Sequence, residues 1–138
     1  MSPEQLLGSV EFPEEDVVVA DFEAGVGTLT RLGEEHVDTV VIVVEATPKS
    51  IEVGIRAAGL ASERTVARIV VVANRIRHDA DLQVVKDAFP GIEVVGVPHD
   101  PKIVEADRKG VAPIDLDPDA PAVRALIGLA STLLPHSN

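Results

Sequence analysis

Four short apolar runs limit what this chain can fold into: Val17–Ala20, Val40–Val44, Ile69–Ala73 and Val94–Val97. Each is rich in Val and Ile, and each is continuous rather than alternating. β-Branched residues suit strands. A strand apolar at every position fits a sheet covered on both faces, which is the habit of parallel sheets.

The stretches between the later runs carry helix signals. Thr47 offers a cap with Pro48 at the first helical position, and Ile51, Ile55 and Ala58 follow one face. Asp79 is the expected cap of a second helix, with Leu82, Val85 and Phe89 on one stripe and Pro90-Gly91 as the stop. Asp100-Pro101 opens a short third helix ending near Gly110. After the acidic turn Asp115–Asp119, a last amphipathic helix carries Val123, Leu126, Ile127, Ala130, Leu133 and Leu134. Strands alternating with helices predict βαβ units. The expected fold is α/β: a parallel Rossmann-like sheet of about four strands with flanking helices, forming one domain over residues 1–138.

Composition narrows function. With 12 Lys and Arg against 23 Asp and Glu, the formal charge is −11. Such a surface repels phosphate backbones and anionic lipids, so neither nucleic acid nor membrane is an expected partner. Aromatic residues are only 2%, which leaves no platform for stacking bases of a strand. There are no cysteines, so disulfides and thiolate chemistry are excluded. The first residues, MSPEQLLGSVEFPEED, lack the basic and apolar regions of a secretion signal. A cytoplasmic location is expected.

In an open α/β sheet, ligands bind beyond the carboxyl ends of the strands. Asp21 sits there as a candidate Mg²⁺ ligand, or as a solvated capping residue. Ala24-Gly25 follows, where glycine permits close backbone approach to a phosphate or an ordinary turn. Asn74 has a carboxamide that could read a base edge, and Arg75 could stack on that base; equally, the pair could close a turn. Thr47-Pro48 and Asp100-Pro101 are helix starts whose free N–H groups could face an anion. His99 is the one histidine expected on this rim, beside Pro98.

In order and spacing, VVVADFEAGVGTLTRL, VDTVVIVVEATPKSIE, RIVVVANRIR and VVGVPHDPKIVEADRKG resemble the C-terminal portion of a MinD/ParA-type P-loop ATPase domain. They are most similar to the CooC-type accessory ATPases of nickel insertion into carbon monoxide dehydrogenase. The resemblance implies that Asp21 supports Mg²⁺ and the attacking water. It implies that Ala24 and Gly25 sense a γ-phosphate, that Asn74 reads adenine with Arg75 packed nearby, and that Val97–Asp100, with Pro98 and His99, lines the base pocket. ATP or ADP and Mg²⁺ are the implied cofactors.

The family's G-K-G-G-x-G-K-T/S loop, which cradles phosphates, has no counterpart here, and no lysine precedes Lys49. The family's metal-binding cysteine pair is also missing. The chain is therefore expected to bind nucleotide weakly by itself, as a truncated or split domain whose partner carries that loop. The absent strand would lie beside the Asp21 strand, and an open edge there invites a second copy or another protein. Two alternatives stay open. One is a non-catalytic oligomerisation or interaction module. The other is a dinucleotide-binding domain using Gly25-Val26-Gly27-Thr28-Leu29-Thr30, with Glu45 as the ribose acid.

Overall fold

The computed structural model describes residues 16–22, 37–63 and 66–134. Its elements are β1 (Val37–Val44), α1 (Pro48–Ser62), β2 (Val66–Ile76), α2 (Asp79–Ala88), β3 (Glu93–Pro98), α3 (Pro101–Lys109), α4 (Pro113–Leu116) and α5 (Pro121–Leu133). The sheet has the order β1-β2-β3, and both pairings are parallel. Three strand tips therefore point the same way, as the apolar runs predict.

The expected first strand, Val17–Ala20, is not a strand. Residues 16–22 are irregular, and Val17, Val18 and Val19 are exposed. Strand conformation needs a neighbour for its N–H and C=O groups. Among the described residues, β1 pairs with β2 alone, and nothing pairs with residues 16–22. The described sheet thus has three strands rather than about four.

Two cores form on opposite faces, because successive side chains of a strand alternate. On one face, Ile42, Val44, Val71 and Ala73 pack with Ala58 of α1, Val85 of α2 and Phe89. On the other, Val70, Val72 and Val97 pack with Ala122 and Leu129 of α5. Only β2 meets the expectation of cover on both faces: Val70 to Ala73 are all buried. β1 is covered on one face, since Ile42 and Val44 are buried while Val41 and Val43 are 39% and 62% exposed. The same gap explains α5. Ala122, Val123 and Leu129 are buried, but Leu126 and Ile127 of the expected stripe remain exposed.

Local signals mostly act where expected. The Thr47 hydroxyl accepts from the Ser50 N–H at 3.3 Å and caps α1. Asp100 caps α3, and Gly110 ends it in the left-handed region at φ 66°. The cap of α2 is His78 rather than Asp79, which takes the first helical position. Asp81, three residues in, explains the shift: its carboxylate accepts from the N–H groups of Arg77 and His78, both at 3.2 Å. Pro113 starts the four-residue helix α4 just before and into the expected acidic turn.

Candidate functional site

A groove of about 390 Å³ opens at the carboxyl side of the sheet, on the α5 face. Its apolar floor includes Val41, Val43, Val72 and Val97, and Leu126 and Val104 help to wall it. Its polar rim carries Asn74, Arg75, Arg77, Pro98, His99 and Asp100.

Chain geometry creates this rim. The β2–β3 register breaks between Ala73 and Ile76 and resumes at Ile76 opposite Pro98. The His99 N–H then donates to the Ile76 carbonyl at 2.9 Å, locking the two tips together. Asn74 and Arg75 occupy the break. Arg75 has φ 56°, the only positive φ at a non-glycine residue among the described ones. A side chain there costs about 1–2 kcal/mol, so the surrounding register must impose it. The Arg75 guanidinium reaches Glu45 at 3.3 Å, from the tip of β2 to the residue just after β1.

Asp100 is buried at 7% exposure and serves the scaffold. One carboxylate oxygen accepts from the Lys102 N–H and the other from the Ala122 N–H, each at 3.0 Å. It thereby ties the β3–α3 turn to the first turn of α5. These two backbone bonds, the Ala122 one foremost, hold its carboxyl below the ordinary range; nearby His99 and Lys102 add to the effect.

Five residues expected at the site, Asn74, Arg75, Pro98, His99 and Asp100, thus line one groove. Thr47 caps α1 but does not line it. Asp21 is exposed and is not among the lining residues. Ala24 and Gly25 lie outside the described residues, as does the glycine pattern 25–30. The sequence reading missed Arg77, which follows the break by two residues, and the apolar floor, which only the packing of α5 defines. Glu45, the ribose acid of the dinucleotide alternative, pairs with Arg75 at 3.3 Å and does not line the groove.

Mg²⁺ binds through one or two carboxylates together with waters and substrate phosphates. Among the described residues, no cluster of three His, Cys, Asp or Glu could hold a metal ion. Asp21 is a single exposed carboxylate away from the groove lining, so it could supply at most one such oxygen, with waters and phosphates completing the shell.

A parallel sheet with helices on both faces and a groove at its carboxyl tips is a doubly wound α/β fold, and its P-loop NTPase-like character follows from a solved structure. The MinD cell division protein of Aquifex aeolicus has this form: it superposes with a TM-score of 0.61 at 28% identity, over 73% of this chain and 45% of that one. In sequence, the chain is 32% identical over 120 residues to an uncharacterized ATP-binding protein of Methanocaldococcus jannaschii, covering 84% of this chain and 46% of the relative. It is 30% identical over 114 residues to the carbon monoxide dehydrogenase accessory protein CooC of Rhodospirillum rubrum, covering 82% and 43%. No family model matches it. The chain belongs to the MinD/ParA-type P-loop ATPase family and is CooC-like. It spans less than half the length of these relatives. No helix among the described residues is long and apolar enough to cross a membrane.

Proposed function

We propose that this chain supplies the base-binding half of a MinD/CooC-like nucleotide site and takes ATP or ADP at the groove rim. The observation that carries the reading is the gathering of Asn74, Arg75, Pro98 and His99 on one groove at the strand tips. The Asn74 amide has the donor and acceptor needed for an adenine edge. The Arg75 guanidinium has the planar face needed to stack on it. The ATP-binding relative of Methanocaldococcus jannaschii lends the class of ligand.

Hydrolysis needs a phosphate-binding loop, and a partner chain is the proposed source. Half of the α5 face supports this. The opposite face carries two helices, α1 and α2, whereas α5 covers β2 and β3 and leaves Val41 and Val43 bare. Strands lie about 4.8 Å apart and a helix is about 10 Å wide. One further helix, with a strand beside β1, would complete the layer. In this reading Asp21, Ala24 and Gly25 act on Mg²⁺ and the γ-phosphate only once that partner is present, in the cytoplasm.

Calorimetric titration of the full chain with ADP and Mg·ATP tests the reading. Weak binding is expected, and Asn74→Ala should weaken it by about 2- to 13-fold, the equivalent of one hydrogen bond. No heat at several times millimolar nucleotide sinks the base-binding role. An assembly that forms regardless of nucleotide favours the interaction-module reading, which the bare Val41–Val43 face also supports.

A further inference from the structure

The rim of the groove is cationic in an otherwise acidic molecule. The chain carries −11 overall, yet the charged residues lining the groove are Arg75, Arg77 and Asp100. Asp100 already has both oxygens engaged by backbone N–H groups. Arg75 is the rim cation tied to an acid, through Glu45 at 3.3 Å. Its backbone is fixed by the register break, but its side chain is 68% exposed and free to swing. Glu45 lies outside the groove lining. Arg75 thus lines the groove while its guanidinium tip rests against Glu45 at the groove's edge, and a rotamer change moves that tip over the floor.

We propose that Glu45 is a positioning residue: it holds the Arg75 guanidinium tip at the edge of the groove, and a planar anionic ligand at the rim takes it over. The exchange needs only a change of side-chain rotamer. The hold is weak, because both partners are largely exposed and such a pair favours contact by only about 1.4- to 5-fold. A ligand that offers a π face and a negative charge competes directly. Glu45 is also joined to α1 through its N–H, which donates to the Ser50 hydroxyl at 2.8 Å, so its backbone stays anchored when the arginine leaves. That the ligand is a nucleotide rests on the function proposed above. The exchange does not, since any flat apolar anion suffices.

Two probes separate these claims: ADP, and 8-anilinonaphthalene-1-sulfonate, a sulfonate dye whose naphthalene ring offers the flat face. Each is titrated against the wild-type chain, Glu45→Gln, Arg75→Gln, the double variant, and Glu52→Gln. Glu52 pairs with Arg56 on α1, does not line the groove, and controls for the loss of one negative charge. Glu45→Gln should tighten binding by about 2- to 6-fold, the factor gained by releasing a hold of that strength. Arg75→Gln should weaken binding and erase the effect of Glu45→Gln, and Glu52→Gln should change nothing. Circular dichroism confirms that each variant is folded. The proposal is overturned if Glu45→Gln still tightens binding without Arg75, which would make it a bulk charge effect. It is equally overturned if Glu45→Gln weakens binding or leaves it unchanged, or if neither probe binds. If the dye follows the expected pattern while ADP does not bind, the exchange stands and the nucleotide reading falls.

Discussion

Gly54 provides a direct test of how closely α1 sits on the sheet. A Cβ at this position would lie 2.5 Å from Val44 Cγ1 and 3.0 Å from Phe89 Cζ. Neither neighbour has room to yield: Val44 is 2% exposed, Phe89 is 3% exposed, and a β-branched valine is stiff about χ1. Overpacking of this kind costs about 1–3 kcal/mol. Replacing a helical glycine with alanine also returns about 0.5–1 kcal/mol of backbone entropy. The expected outcome for Gly54→Ala is therefore a loss between about 0 and 2.5 kcal/mol. Gly59, on the same helix, has nothing within 4 Å of its virtual Cβ. Gly59→Ala should stabilise by about 0.5–1 kcal/mol, so the two variants should differ by the steric cost alone. Urea unfolding followed by circular dichroism measures both, since the chain has no Trp or Tyr to report by fluorescence. Val44→Ala should cost less in the Gly54→Ala background than alone, by a coupling of about 0.5–3 kcal/mol. Equal stability shifts for Gly54→Ala and Gly59→Ala would refute the close approach of α1 to β1.

Other outcomes follow from the packing and the charges. Val85 is fully buried beneath α2, and Val85→Ala should cost about 2–3 kcal/mol in urea unfolding, from two lost methyl groups and the cavity left behind. The Asp100 carboxyl is held below its ordinary value of 3.8. Its contribution is thus complete above that value and is lost as pH falls through the lower folded-state value. Acid unfolding curves should show this loss below about pH 4, and Asp100→Asn should flatten it while reducing stability at neutral pH. Arg68 donates to the Thr132 carbonyl at 2.7 Å and to Glu93 at 2.6 Å. Arg68→Ala should cost about 1 kcal/mol and speed amide hydrogen exchange at the end of α5.

The groove was legible in part. Asn74, Arg75, Pro98, His99 and Asp100 follow apolar runs directly, so a parallel sheet brings them to one edge without further information. Asp21 follows such a run too, and there the inference fails: Val17–Val19 have the right residue types but no neighbouring strand among the described residues. The role of Asp100 was half legible. Its cap on α3 is local, whereas its bond to Ala122 spans 22 positions of sequence. The Glu45–Arg75 contact was hidden for the same reason, because a register break in β2 sets it and no residue type announces that break.

Taken alone, the sequence determined the class of fold, the parallel direction of the strands, most helix starts and the lack of a phosphate-gripping loop. These depend on residue type and short-range spacing, which act before the chain is packed. Tertiary structure decided which face of β1 is covered, whether Val17–Ala20 pairs, and where the Arg75 charge rests. Each of these depends on whether a neighbour distant in sequence is present to meet a strand edge, an apolar face or a charge, and no local pattern records that.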